Sequence, residues 1–265
     1  MKTGLALSGG AVRGMSHIGV LKYLEEKNIE THLVAGTSAG SLIGALHASG
    51  KSASEIEEIA LDIHWKDIIK NIYSVSFPKK GLINVEFLKK IFDMYLGKLT
   101  FENLKKPLIV VAVDLGKNEV VHINTGEVTS AVLASCAIPG IFTPVERDGL
   151  TLVDGGVLQN IPTAPLAEGG ARKIIAVNLN TRSIPSEAPQ NIFEILYRTI
   201  HLMAREKDKE DSKLAAFLIE PELDHIGHWE LGKTKELIDL GYKEAQKVMG
   251  RVKSEKSIFQ KILFR

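Results

Sequence analysis

Leu33-Val34-Ala35-Gly36-Thr37-Ser38-Ala39-Gly40 is the stretch on which the reading of this chain turns. Leu33–Gly36 is a short apolar run of the kind a buried strand shows, and a helical pattern follows to about Ala48. At their junction stands Gly36-Thr37-Ser38-Ala39-Gly40, a G-x-S-x-G pentapeptide. A nucleophilic serine needs a sharp, strained turn that projects its hydroxyl past the sheet. Glycine two residues to either side removes the side chains that would block such a turn. The helix that starts after Ser38 adds a dipole favouring negative charge beside the hydroxyl. A plain tight turn would use the same residues, so the surroundings have to decide.

Working outward, strand and helix patterns alternate. Leu5–Leu7 is an apolar run ending in glycines, followed by a helical pattern from about Met15 to Lys27. Ser54 to Ile63 continues as helix. Apolar runs recur at Leu108–Val113, Val120–Ile123 and Lys173–Asn178, with a helix-like stretch at Val128–Ser135, and the last third is mostly helical. Asp148-Gly149 reads as a hairpin turn between two short runs. The expectation is an α/β fold: a three-layer α/β/α sandwich around a mostly parallel sheet, made mixed by that hairpin. No repeat or linker interrupts the chain, so residues 1–265 read as one domain, with a motif-bearing core at about 3–180 and a mostly helical part at about 190–265.

A second loop, Ser8-Gly9-Gly10-Ala11-Val12-Arg13-Gly14, lies between the first strand and the first helix. Its glycines allow a tight turn with exposed N–H groups, and the helix N-terminus adds partial positive charge. Such a loop holds an anion, either a phosphate or the oxyanion of a reacting carbonyl, or it is only a tight turn. The dinucleotide version wants glycine where Ala11 stands and an acid at the end of the second strand, and here that strand ends in Gly36-Thr37-Ser38.

A serine alcohol needs a base. Of the histidines after Ser38, only His225 and His228 fall on a plausible loop, and His17 and His47 read as helix residues. Carboxylates are better placed. Leu152-Val153-Asp154-Gly155-Gly156 puts an acid at a strand end, with two glycines that let the chain approach another loop. Asp114, at the end of Leu108–Val113, is the reserve.

With these motifs in view, the chain resembles the patatin-like phospholipases from about residue 3 to residue 180. The resemblance rests on Gly9–Gly14, Gly36–Gly40, the segment Ala134-Ser135-Cys136-Ala137-Ile138-Pro139-Gly140 and Asp154-Gly155-Gly156, in the family's order. It implies a Ser–Asp dyad without histidine, Ser38 as nucleophile and Asp154 as base. It further implies an oxyanion hole from the loop Gly9, Gly10, Ala11, Arg13 and Gly14, with amides around Gly10, Ala11 and Arg13 as donors. Gly36 and Gly40 would then shape the nucleophile elbow, and Gly155 and Gly156 the base loop. The implied activity is acyl-ester hydrolysis, of phospholipid, lysophospholipid or simple ester. A non-enzymatic regulator and a nucleotide binder using the Gly9–Gly14 loop are the rival readings.

Composition narrows the partners. With 45% hydrophobic and 25% charged residues and a formal charge of +1, the chain lacks the basic excess of a nucleic-acid binder. A single cysteine, Cys136, forms no internal disulfide and reads as a small core residue, so the cytosol is the expected compartment. The N-terminal apolar stretch is too short for a signal peptide, and no apolar run approaches the ~20 residues of a membrane span. No metal-ligand spacing stands out, and no cofactor is expected. Residues 64–98 mix aromatic and aliphatic residues with lysines. They read as an amphipathic layer on the sheet, with a cap over an acyl pocket touching anionic lipid as the alternative. The tail 257–265 reads as docking to the core, with peripheral membrane contact again the alternative.

Overall fold

A computed structural model describes residues 1–62, 85–180, 188–189, 192–230 and 232–263. Eight strands form one mixed sheet: β1 (Thr3–Leu7), β2 (Leu33–Thr37), β3 (Leu108–Asp114), β4 (Glu119–Ile123), β5 (Val145–Arg147), β6 (Leu150–Asp154), β7 (Lys173–Val177) and β8 (Phe217–Ile219). The order is β5-β6-β3-β2-β1-β7-β8, with β4 also paired to β3. The steps β3-β2-β1-β7-β8 are parallel, and β4, β6 and β5 join antiparallel. The helices are α1 (Ser16–Glu26), α2 (Ala39–Ala48), α3 (Ala53–Asp62), α4 (Glu86–Leu96), α5 (Val128–Ser135), α6 (Ala164–Glu168), α7 (Ile192–Ser212) and α8 (Thr234–Leu263).

The expected mixed α/β sheet is therefore present, and the hairpin at Asp148-Gly149 joins β5 to β6 with both turn residues at positive φ. Two further antiparallel pairs, β3 with β4 and β3 with β6, lie beyond that one hairpin. Residues 64–84 of the suggested cap lie outside the described residues, as do the side chains of the tail 257–265. The remaining part of the 64–98 stretch includes α4.

Strand period two divides the core. Leu5, Leu7, Val34, Ile175 and Val177 point to the large cluster shared with most of the helices. Their neighbours Ala6, Leu33, Ala35, Ile174 and Ala176 point to a smaller cluster with Leu166 of α6. The register puts Ala6 beside Ala35 and Ala176, so one sheet face is lined by small side chains. Each fully buried Leu or Ile contributes about 1.5–3 kcal/mol, so these rows fix the register firmly. Strand order reverses at β1, which sends β2 to one side and β7 to the other. The crevice at the carboxyl ends of β1, β2 and β7 is where open α/β sheets place their sites. Among the described residues no helix is long and apolar enough to cross a membrane.

Candidate active site

Ser38 caps α2 at φ 51°, ψ −124°, a conformation that costs a non-glycine residue roughly 1–3 kcal/mol. Its surroundings impose it. The Ser38 N–H donates to Ser135 Oγ at 2.8 Å, and Ser135 Oγ in turn donates to Val111 O at 2.6 Å. The Ser38 carbonyl accepts from Ser41 N at 2.8 Å and Ser41 Oγ at 2.6 Å. The flanking glycines are required by close approach. A Cβ on Gly40 would lie 2.2 Å from Leu7 O, and one on Gly36 would lie 2.5 Å from Gly40 O. The pentapeptide is thus a strained elbow pressed against the end of β1.

Asp154 ends β6, opposite Ala112, while Thr37 lies beside Val111 on the other edge of β3. That register brings the acid to the elbow across one strand. Both side chains are buried, at 6% exposure each, and the two line one small cavity together. The Gly156 N–H donates to Asp154 Oδ1 at 2.8 Å. Burial pushes the Asp154 pKa up to about 6, and the nearby Ser38 hydroxyl and the Gly156 N–H hold it from rising further. Gly155 lies where a Cβ would stand 2.5 Å from Val111 O, which lets the base loop cross β3. Asp114 is elsewhere in role: its Oδ1 accepts from Gly116 N at 3.0 Å and Thr151 N at 3.3 Å, holding a turn.

The glycine loop borders Ser38: a Cβ on Gly9 would lie 3.1 Å from Ser38 Cβ. Its amides divide into two sets. Gly9 N donates to Asn160 Oδ1 (3.0 Å), Val12 N to His228 O (3.1 Å) and Arg13 N to Gly10 O (3.1 Å). Among the described residues the N–H groups of Gly10 and Ala11 have no such acceptor. Gly14 lies in the 3-10 turn Ala11–Met15, packed against Ala39. Ala11 takes φ 49°, the left-handed region where alanine is strained. The Arg13 guanidinium is buried, its Nε donating to Ile226 O at 2.9 Å.

Two cavities meet at Ser38. The larger is apolar and is walled by Leu42, Leu88, Phe92, Ile138, Phe142 and Trp229. The smaller is lined by Gly10, Asp154, Asn160, Tyr197 and His201 as well as Ser38. Cys136 borders the larger one, and burial pushes its thiol pKa up, which suits a wall residue. His17 and His47 are buried in helices, with pKa values lowered to about 4. His17 Nε2 donates to Ser8 O at 2.8 Å, and His47 Nε2 meets Thr31 Oγ1 at 2.9 Å.

Sequence reasoning passed over several residues that shape this site: Asn160, Asn180, Tyr197 and His201, with Ser135 quoted but given no role. Only Ser135 carried a signal, as part of the segment 134–140.

Comparison with known proteins bears on the family and on the sheet architecture. An uncharacterised NTE family protein of Mycobacterium tuberculosis is 35% identical over 184 residues, 68% of this chain and 49% of the relative. Mouse patatin-like phospholipase domain-containing protein 6 is 31% identical over 184 residues, 67% of this chain and 13% of that protein. This chain therefore spans about half of the mycobacterial relative and a small part of the mouse one. In fold it is similar to VipD of Legionella pneumophila, with TM-score 0.56 and 16% identity, covering 93% of this chain and 66% of that one. The type III effector ExoU gives TM-score 0.51 and 14% identity, covering 93% and 52%. The family profile described as patatin-like phospholipase matches residues 5–167, a span that runs from β1 past the elbow and the base loop into α6, and the chain belongs to that family.

Proposed function

We propose that the protein is a serine acyl-ester hydrolase of lipid substrates, with Ser38 as nucleophile and Asp154 as general base. The observation that carries this is a strained Ser38 that shares a small cavity with the buried Asp154 carboxylate at the mouth of an apolar cleft. A base with a pKa near 6 is ionised at neutral pH and far better matched to proton transfer than an ordinary aspartate.

Asp154 takes the Ser38 proton as Oγ bonds to the ester carbonyl carbon. The carbonyl electron pair moves onto oxygen, which the free N–H groups of Gly10 and Ala11 hold. Collapse breaks the ester C–O bond, and the leaving alkoxide takes the proton from Asp154. Water then repeats the sequence on the acyl-Ser38, with Asp154 again as base, releasing the acid and restoring the serine. The apolar cleft suits the acyl chain, and the smaller cavity beside Asp154 suits the alcohol and the incoming water. Each oxyanion donor is worth ~3–4 kcal/mol.

The test is hydrolysis of p-nitrophenyl esters of graded acyl length by wild type, Ser38→Ala and Asp154→Ala. Both variants are expected to fold and to lose at least about a thousandfold in kcat. Near-normal turnover by Asp154→Ala would remove the base assignment. A wild type inert on every ester and on phospholipid vesicles would remove the hydrolase reading itself.

A further inference from the structure

Asn180 follows β7 and reaches the glycine loop, with its Nδ2 3.3 Å from Gly9 O. That carbonyl belongs to the same peptide unit as the Gly10 N–H. In a trans peptide the two point in opposite directions. Holding Gly9 O on the Asn180 side therefore aims the Gly10 N–H away from it. The Ser8 hydroxyl donates to the same carbonyl at 3.1 Å. The adjoining peptide units are pinned as well: Ser8 O by His17, Gly9 N by Asn160, and Gly10 O by Arg13 N. Of these groups, the Gly10 amide alone depends on a long-range contact to a side chain beyond the family-matched span.

Asn180 is itself gripped on both ends. Its Nδ2 lies 3.1 Å from His201 Nδ1, and its Oδ1 lies 3.2 Å from His228 Nε2. The donor inventory closes in one way. Nδ2 has two hydrogens, one for Gly9 O and one for His201 Nδ1, which must be the bare ring nitrogen. Oδ1 accepts from His228 Nε2–H. A flipped amide would set Oδ1 against Gly9 O, so that carbonyl selects the orientation, and the orientation sets the tautomer in which each imidazole holds the amide. They are stacked, with ring centroids 5.9 Å apart and planes 11° from parallel, and Tyr197 packs edge-on to each, at 4.2 Å from His201 and 4.7 Å from His228. Accepting at Nδ1 needs a neutral His201, whereas His228 donates from Nε2 in either state. Burial and the nearby Arg13 charge supply that, lowering the His201 pKa to about 4 and that of His228 well below its usual value.

We infer that His201 and His228 form a clamp on Asn180, and that Asn180 is a positioning residue which aims the Gly10 N–H at the oxyanion. The inference rests on the proposed acyl-transfer reading for its catalytic consequence. It gives the histidines beside Ser38 a task other than that of the base.

Asn180→Asp tests it, since it keeps the shape and replaces the Nδ2 donor with an oxygen that repels Gly9 O. The full chain is assayed for ester hydrolysis alongside wild type and Ser38→Ala, and the amides of Gly10 and Ala11 are followed by 15N NMR. The expected result is a fall in kcat of about 10–100-fold with KM nearly unchanged, accompanied by displaced Gly10 and Ala11 amide signals. His201→Gln, which retains an acceptor, should keep several-fold more activity than His201→Leu. Displaced signals with undiminished kcat would overturn the positioning role, and a lost kcat with unmoved signals would overturn the clamp. An inert wild type would sink the hydrolase reading and with it the catalytic role, leaving the NMR to decide the clamp alone. Should Asn180→Asp fail to fold, the two His201 variants decide, and equal activity in both would overturn the inference.

Discussion

Asp154 carries a conflict between chemistry and stability. In the unfolded chain its carboxyl has the ordinary value of 3.8, whereas burial in the fold raises it to about 6. Between these pH values the native state holds a proton that the unfolded chain has released. Stability from this group therefore falls as pH rises through the window and stays low above it. A shift of two units corresponds to about 2–3 kcal/mol. Asp154→Asn keeps an acceptor for the Gly156 N–H and removes the buried charge. It should abolish turnover yet melt higher than wild type at pH 8, with the advantage gone at pH 4. A lower melting temperature at pH 8 would mean the carboxylate charge is a net stabiliser of the fold. Turnover itself should lose its acid limb near pH 6 in kcat/KM, because only the ionised form can accept the Ser38 proton.

Among the elements, α4 and the strands show what can be read from sequence and what cannot. Leu88 and Phe92 lie one turn apart on α4 and wall the apolar cleft next to Leu42 of α2. Phe92→Trp should cut kcat/KM on the longest acyl esters by about tenfold and leave short ones unchanged. An equal loss on every ester would place the fault at the elbow instead of the cleft. The geometry of the Gly36–Gly40 turn and of the Asp154 loop was legible because each is written in three to five consecutive residues with glycines that close approach requires. The strands β1, β2, β3 and β7 were legible as uninterrupted apolar runs. By contrast β8, three residues long, becomes a strand only through β7 beside it. Lone polar residues were illegible for the same reason. Asn160 meets Gly9 across 151 positions, and Asn180 meets it across 171, so no local pattern announces either. The free amides of Gly10 and Ala11 likewise depend on which neighbouring amides the rest of the fold engages.

For the whole molecule, the question is how the helical last third is held to the core that the family profile covers. His228 accepts from Val12 N at 3.1 Å, and α7 supplies Tyr197 and His201, so parts beyond residue 167 line the site and grip its loop. α8 lies along α1 with backbones nearly touching. A Cβ on Gly19 would stand 1.8 Å from Ile238 O, and one on Gly241 2.0 Å from Ser16 O. Tyr23 and Tyr242 pack edge to face beside this contact, at 5.7 Å. Glycine inside a helix ordinarily costs ~0.5–1 kcal/mol relative to alanine, and here the cost is offset by the approach it permits. Gly250 of the same helix is a built-in control, since among the described residues a Cβ there meets nothing within 4 Å. Gly250→Ala should stabilise the protein by about 0.5–1 kcal/mol. Gly241→Ala makes the same chemical change against an unyielding carbonyl and should destabilise by about 1–3 kcal/mol. Thermal melts would separate the two, at about 2–4 °C per kcal/mol for a chain of this size. Because Ser16 follows directly on the 3-10 turn of the glycine loop, Gly241→Ala should also lower kcat on a short ester well below its melting range. Stabilisation by both substitutions would mean that α8 stands off α1, and that the glycine loop takes no support from the C-terminal helix.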